Sequence, residues 1–554
     1  MKQTRIRAVL GTLNSKYIHV SPAPYCLLAG IRALAVHRHD GAVVDGTVNE
    51  PTEAVAARIL ARSPTLVALS VYIWNRHETA ALISHLRTAE PALFIAVGGP
   101  EVEHDAAAFL SECAADAVLL GEGERQIALL CDALAEGRDP SSLAGVVTRE
   151  GGTPPPLPDP IPPSPILPEY LAAVRGRIAY LETSRGCPFS CAFCLSGGTG
   201  VRYFPIERAK AEMLALAGAG ARTVKLVDRT FNASAARARE LWRFVIAEQG
   251  RGIPEGVCFH FEVAGDLLTE EDIALLATAP AGAIRLEIGI QSFHPQTLAA
   301  IRRKGDPDRI AKRVRALTAL GNLEVHIDLI AGLPHEGLSD FGAGLDRAYR
   351  TAPAMLQLGF LKLLHGSALR RTADGFCRFS PTPPYEVLST HVLGEGELAV
   401  LHAAEGALDR LYNSHRFRRT LAYLVDECGQ SPFALLSGFG ATVPPHGTSL
   451  DSYTDAFFAY ASRIEGVDPR ILRDRMLCDR LATTPDHALP KCLYIPDKKL
   501  SEVKKTIQKE RSGAGNSIPF AVGILYATGE ILVAEYSARH PVTGEYPTSV
   551  QKLF

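Results

Sequence analysis

Paired cysteines, long apolar runs and an excess of either charge are all missing from this chain. Its 554 residues include eleven cysteines, four methionines and two tryptophans. Eleven is odd, and eight of the cysteines are scattered or irregularly spaced outside one close group. That excludes a secreted disulfide scaffold and suits a reducing, cytoplasmic setting. No run of about 18 or more uncharged apolar residues occurs, so no membrane partner is expected. The opening MKQTRIRAVLGTLNSKYIHV lacks an apolar stretch of signal-peptide length. A net charge of −2 gives no basic balance to attract nucleic acid. The one basic cluster, DKKLSEVKKTIQKERSG (497–513), mixes in acids and reads as a solvated helix. No internal repeat of roughly 20–50 residues is visible.

What is present is an ordinary globular composition, 47% hydrophobic and 21% charged. The length suggests about three or four domains. Over residues 1–150, Val/Ile/Leu runs at 6–13, 41–48, 65–74, 93–102 and 117–123 alternate with amphipathic helices such as 24–36. Continuous apolar strands separated by helices imply a parallel sheet covered on both faces, a doubly wound Rossmann-like domain. Its strands end in small or polar residues, where such sheets bind ligands. A linker over 151–170 follows, with nine prolines between 154 and 168; proline fixes φ and removes a donor, so the segment is extended and semi-rigid. From 171 to 375, six strand candidates (178–184, 223–228, 257–263, 283–290, 324–330 and 355–364) alternate with helices. Six βα units are too few for a closed eight-stranded barrel, so a partial, open TIM-like (β/α)6 barrel is expected. Residues 376–554 form a mainly helical C-terminal domain. Helical periodicity spans 384–425, and 519–537 reads as two strands with a turn at Thr528–Gly529.

The close group is ETSRGCPFSCAFC, residues 182–194, with Cys187, Cys191 and Cys194 spaced C-x3-C-x2-C. A structural zinc site needs four protein ligands, and the next cysteine, Cys258, lies far along the chain; a distant histidine would have to complete the shell. A [4Fe–4S] cluster takes one thiolate per iron. Three thiolates leave one iron open to chelate a small molecule. The loop also follows the first barrel strand, at the carboxyl end where barrels keep their chemistry.

C-x3-C-x2-C with an aromatic, Phe193, before the last cysteine resembles the radical S-adenosylmethionine (SAM) superfamily. The resemblance implies a [4Fe–4S] cluster on Cys187, Cys191 and Cys194 whose fourth iron binds SAM. Electron transfer then cleaves SAM to methionine and a 5′-deoxyadenosyl radical. It also implies SAM contacts from Phe193 and from the strand ends: Asp228 in VDRTFNA, with Arg229, Thr230 and Asn232 near it; Glu262 in FHFEVAGDLL; Glu287 and Gln291 in RLEIGIQSFHPQTL; and Gly332 in HIDLIAGLPHEG. The GIQS stretch is similar to coproporphyrinogen-oxidase-like and methylthiotransferase-like members. Each polar rim residue by itself also fits a satisfied group of the barrel wall.

A Rossmann-like domain ahead of such a barrel resembles the cobalamin-binding class. The resemblance implies corrinoid contacts from Asn14, Ser70, Tyr72, Gly98, Gly99, Glu101, Gly121 and Glu122. The D-x-H-x-x-G motif of base-off cobalamin domains is absent: His19 lies in the loop after the first strand without the flanking Asp and Gly. Either cobalamin binds with no histidine below cobalt, or the domain is a relic. Tyr72 and Trp74 read equally well as apolar filler, and His19 as a surface or capping residue. The stretches 356–370 and 383–390 resemble the C-terminal extension of one subgroup of this class.

The expected activity is methylation of carbon or phosphorus in a small-molecule substrate, with electrons from an external flavodoxin- or ferredoxin-type donor and with no nucleic acid partner. Two alternatives stay open. One is radical rearrangement, cyclisation or 3-amino-3-carboxypropyl transfer, with cobalamin accessory or absent. The other is a binding or electron-relay protein with a structural cluster. No catalytic base is assigned, although Tyr17, His294, His335 and His365 lie near strand ends or loops.

Overall fold

The structure is a computed structural model that describes residues 5–444, 447–485, 488–513 and 517–552. The chain divides into two compact units. One holds the described residues up to Leu267 with Ala300–Lys304 and Leu361–Val387; the other holds Leu268–Ala299, Gly305–Phe360 and the described residues from Leu388 onward.

The first unit begins with a seven-stranded sheet. Its strands are β1 (Arg7–Asn14), β2 (Asp40–Thr47), β3 (Leu66–Ser70), β4 (Phe94–Gly98), β5 (Ala117–Leu119), β6 (Val146–Thr148) and β7 (Gly151–Gly152), in the order β2-β1-β3-β4-β5-β6-β7. The first five strands run parallel, and β6 and β7 add on antiparallel. Helices α1 (Ala23–Leu34), α2 (Thr52–Leu60), α3 (Arg76–Ala89), α4 (Ala106–Glu112) and α5 (Gly123–Glu136) cover it. Alternate side chains explain the two layers. Val9, Leu13, Val67, Leu69, Ile95 and Val97 pack with α2, α3 and α4, whereas Ala8, Leu10, Ala68, Ala96 and Leu119 pack with α1 and α5. This is the doubly wound domain expected, with its topological switch between β1 and β3. The short β6 and β7 had no apolar run to announce them.

Asn75, fully buried, closes the switch. Its amide nitrogen donates to the Leu13 and Ser70 carbonyls (3.0 and 3.3 Å), and its oxygen accepts from the Tyr72 N–H (2.7 Å). The Gly98–Gly99 end of β4 is equally constrained. Gly99 has φ +113°, and a Cβ there would lie 2.5 Å from the Val71 carbonyl, so only glycine fits.

Residues 154–167 hold no helix or strand, as the prolines require. Beyond them β8 (Ile178–Leu181), β9 (Ser184–Cys187), β10 (Gly200–Tyr203), β11 (Thr223–Leu226) and β12 (Cys258–Glu262) complete the first unit's main sheets. β8, β11 and β12 pair in parallel, with helices Ile206–Gly218 and Ala235–Glu248 between them. β9 and β10 form an antiparallel hairpin that the sequence did not announce, because β9 continues directly from the first barrel strand.

In the second unit β13 (Ile284–Gln291), β14 (Glu324–Ala331) and β15 (Met355–Phe360) run parallel, with helices Pro307–Thr318 and Leu338–Tyr349 between them. All six strands of the expected partial barrel are therefore present, three in each unit.

The periodicity read over 384–425 overreached at its start. After β16 (Cys377–Phe379), residues 384–394 hold β17 (Val387–Thr390) and a loop, and the helix begins at Glu395. Pro383 and Pro384 cannot join a helix interior, and Glu397 caps the Gly394 N–H to set the true start. Helices dominate thereafter. A three-stranded meander follows: β18 (Phe520–Leu525), β19 (Glu530–Glu535) and β20 (Thr548–Lys552). The first two match the expected hairpin; β20, TSVQK, is mostly exposed and has no apolar signature. Among the described residues no helix is long and apolar enough to cross a membrane.

Replacing Asn75 by Ala takes one donor from each of the Leu13 and Ser70 carbonyls, which keep Trp74 Nε1 and the Thr12 hydroxyl, and removes the acceptor of the Tyr72 N–H. We expect a loss of roughly 2–4 kcal/mol, measured as a lower denaturant midpoint with the slope unchanged.

Candidate functional site

The cysteine loop lies between β9 and β10. Gly186 lets the two strands meet closely: it has φ +93°, and a Cβ would sit 2.0 Å from the Gly200 carbonyl. Cys187 ends β9 and is buried, as is Cys191, while Cys194 is half-buried. The loop is pinned at Ala192, whose N–H donates to the Ile301 carbonyl and whose carbonyl accepts from the Leu369 N–H, both at 2.8 Å. Neither partner was legible in sequence. Two donors face the sulfurs, Ser196 N–H at 3.4 Å from Cys194 Sγ and Arg303 Nη1 at 3.6 Å from Cys191 Sγ, and Thr230 Oγ1, which donates to the Arg229 carbonyl, lies 3.3 Å from Cys187 Sγ. Three cysteine sulfurs, two of them served by an amide and a guanidinium, fit the [4Fe–4S] group, because such donors stabilise anionic cluster sulfur. Among the described residues no set of three or more His, Cys, Asp or Glu side chains converges on a single metal ion. None of the eleven cysteines forms a disulfide.

Of the expected SAM contacts in the first unit, Phe193 sits half-buried on the cysteine loop. Asp228 is turned inward. Its carboxylate accepts from the Thr183 N–H (2.9 Å), the Thr183 hydroxyl (2.8 Å) and the Ser184 hydroxyl, and burial raises its pKa to about 6. Those bonds tie the exit of β11 to the base of the cysteine hairpin. Asn232 is similarly committed, to both backbone groups of Ala264, at 2.8 and 2.9 Å. Glu262 ends β12 on the face opposite Phe261, which packs on Phe231 and Trp242. It stands 3.6 Å from Lys225. Strand register aligns Lys225 with Tyr180 on one side and His260 on the other, so this face is polar.

In the second unit, β13 and β14 alternate buried apolar residues with a charged face. Glu287 lies opposite His326, and Arg285 pairs with Glu324 at 2.6 Å. Gln291 ends β13 with φ +74° and a buried, unpartnered Oε1. Gly332, with φ +82°, ends β14. Beside them lies a group that sequence reading missed. Glu336 is 2% exposed, accepts from the Ser292 hydroxyl at 2.6 Å, and has its second oxygen unpartnered. Burial raises its pKa to about 7. Its only sequence signal was the GLPHEG turn.

The expected cobalamin contacts fall into two groups. Asn14, Glu101 and Glu122 have polar atoms already engaged. Asn14 bonds the Ser21 N–H at 3.1 Å; Glu101, buried and with its pKa raised by that burial, takes Arg76 and the Tyr385 hydroxyl; Glu122 takes Arg185 and Arg202. Ser70 is buried at the end of β3. Gly98, Gly99 and Gly121 leave bare backbone at the strand ends, and Tyr72 stacks on half-exposed Trp74 with centroids 4.4 Å apart. Glycine backbone beside the half-exposed Trp74 ring fits a large planar ring system. His19 Nδ1 lies 2.7 Å from the Tyr180 hydroxyl, and His19 bridges to Ile178 of β8. Burial, then Lys16, Lys225 and Arg177, lower the His19 pKa.

The comparisons with known proteins coincide with these parts. Residues 24–130 match the B12 binding domain family, 181–348 the radical SAM superfamily, and 376–524 a family described as a protein of unknown function, DUF4080. The chain is a radical SAM enzyme with a cobalamin-binding domain. An uncharacterised methyltransferase of Pyrococcus horikoshii is 26% identical over 61% of this chain and 76% of its own length. The cobalamin-dependent radical SAM methyltransferase TokK of Streptomyces tokunonensis is 27% identical over 53% of this chain, but the match spans only 46% of TokK. The structure of the cobalamin-dependent SAM radical enzyme OxsB with aqua-cobalamin bound superposes with a TM-score of 0.62, covering 92% of this chain and 84% of that one at 14% identity. That last likeness is one of fold. Together the matches imply a [4Fe–4S] cluster, SAM and cobalamin as the enzyme's cofactors.

Two predictions follow from the geometry. Ala at Cys187, Cys191 or Cys194 should each abolish retention of the reconstituted cluster, read as iron content and visible absorption. Glu336, with a folded pKa near 7 against an ordinary 4.5, binds its proton more tightly folded than unfolded. Its contribution is therefore full below about pH 4.5 and lost as pH rises through about 7. Glu336→Gln keeps the Ser292 bond and removes the charge, so at pH 8 it should stabilise the chain by ~1–3 kcal/mol, with little change at pH 4.5; unfolding midpoints at the two pH values check this.

Proposed function

We propose that this enzyme is a cobalamin-dependent methyltransferase that adds a methyl group to carbon or phosphorus of a small metabolite. It would work in a reducing cytoplasm and take electrons from a flavodoxin- or ferredoxin-type donor. The observation that carries the reading is that one compact unit holds both the three-cysteine loop and the strand-end edge of the B12-binding domain, packed against each other. When bound, the cluster supplies the electron that cleaves SAM, and cobalamin supplies the methyl carrier. The chain's own residues set the conditions. Asp228 braces the cysteine hairpin, Arg303 and the Ser196 N–H would offset sulfur charge, and Tyr180 holds the His19 ring through Nδ1. The polar face of Tyr180, Lys225, His260 and Glu262 suits a polar small molecule better than an apolar one.

The test is anaerobic reconstitution with iron, sulfide and hydroxocobalamin, then desalting, an absorption spectrum and a SAM-cleavage assay with reductant. Retained corrinoid bands, with both S-adenosylhomocysteine and 5′-deoxyadenosine formed, are expected. Deoxyadenosine without retained corrinoid would overturn the methyltransferase reading in favour of rearrangement, cyclisation or aminocarboxypropyl transfer. In the loaded enzyme, His19→Ala should leave the corrinoid spectrum unshifted; a shift would mean that His19 reaches cobalt.

A further inference from the structure

A guanidinium two residues before the first cluster cysteine is surrounded by carboxylates. Arg185, in β9, donates from Nη1 to Glu122, from Nη2 to Glu124 (both 2.6 Å) and from Nε to Glu182 (2.8 Å). Glu122 and Glu124 belong to the turn that leads from β5 into α5, and Glu182 to the exit of β8. Burial alone would lower the Arg185 pKa, but Glu182 and Glu124 more than offset it and hold the charge on. Directly across the hairpin from Arg185 stands Arg202. Two like charges at one cross-strand pair destabilise a hairpin unless a counter-ion is shared, and Glu122 is that counter-ion, taking Arg185 on one oxygen and Arg202 on the other. Guanidinium–carboxylate bonds fixed at several points set orientation as well as distance.

Both sides of this contact are rigid. The Glu122–Glu124 turn is fixed from behind by α1, where Gly30 approaches so closely that a Cβ would lie 2.3 Å from the Glu124 carbonyl. The carboxylates sit at the amino end of α5, where the helix dipole favours negative charge. On the other side, Gly186 locks β9 to β10 immediately before Cys187. No flexible segment intervenes between the guanidinium and the cluster ligand.

We infer that Arg185, gripped by Glu122, Glu124 and Glu182, is a positioning residue that fixes the separation and angle between the cysteine loop and the strand-end edge of the B12-binding domain. The inference rests on the proposed function, in which both groups are loaded and must cooperate. It gives Glu122 a different task from corrinoid contact: the carboxylate sets where the cluster lies relative to the corrinoid domain without touching either group.

The experiment uses the full chain reconstituted with cluster and hydroxocobalamin, as wild type and as Glu122→Gln, which keeps shape and removes the shared charge. Pulsed electron paramagnetic resonance reads the distance distribution between cob(II)alamin and the reduced cluster. The ratio of S-adenosylhomocysteine to 5′-deoxyadenosine reads whether SAM is used for methyl transfer or only cleaved. We expect the variant to load both groups, to broaden the distance distribution, and to lower the product ratio by on the order of 10–100-fold, the scale of a roughly 1 Å misplacement. An unchanged distribution and ratio in the loaded variant overturns the inference. Should Glu122→Gln fail to load, Arg185→Lys, which keeps the charge but cannot bridge three carboxylates, is read in the same way. A wild-type chain that retains no corrinoid refutes the proposed function instead. Amide exchange in β9 and β10 then decides the clamp: faster exchange in Glu122→Gln supports it, and equal exchange overturns it.

Discussion

Three cysteine sulfurs must come close enough to serve one inorganic cluster while leaving a side of it open. A flexible loop would collapse onto itself or scatter its thiols. Here the loop is closed at its base by a hairpin whose strands meet at Gly186, and it is held in the middle by backbone bonds through Ala192 to Ile301 and Leu369. The other features of the first unit serve that loop. Asp228 gathers Thr183 and Ser184 beneath it, and Thr230 places a hydroxyl against Cys187. The cost is a buried carboxylate whose pKa rises to about 6; hydrogen bonds to the charged form keep the rise modest.

The N-terminal domain follows a second constraint. A sheet that binds a large planar cofactor across its strand ends needs bare backbone there and polar groups turned away. Gly98, Gly99 and Gly121 provide the first. Asn14, Asn75 and Glu101 show how the second is met: their polar atoms are spent on neighbouring backbone and side chains, stiffening the edge rather than reaching out from it. His19 follows the same logic. Its backbone pairs with Ile178 of β8, and its Nδ1 is held by the Tyr180 hydroxyl.

The second unit carries a chemistry of its own. Alternation along β13 and β14 gives one apolar face and one lined with Arg285, Glu287, Glu324 and His326. At the strand ends, Gln291 and Glu336 hold buried oxygens without donors. Such acceptors are costly to leave unsatisfied.

The sequence by itself determined most of the elements and brought the three cysteines into one short stretch. Apolar runs of fixed period specify strands and helices locally, prolines end them, and the cysteines lie within one short stretch where spacing alone constrains geometry. Tertiary structure decided what each polar residue does. Asp228 and Glu122 look in sequence like ligand contacts at strand ends, but a carboxylate's task depends on which donors the fold brings to it. Those donors, Ser184 for Asp228 and Arg185 with Arg202 for Glu122, arrive from distant parts of the chain. Glu336 and the hairpin partners of the cysteine loop stayed hidden for the same reason: their meaning lies in contacts across many residues, and local pattern carries no record of them.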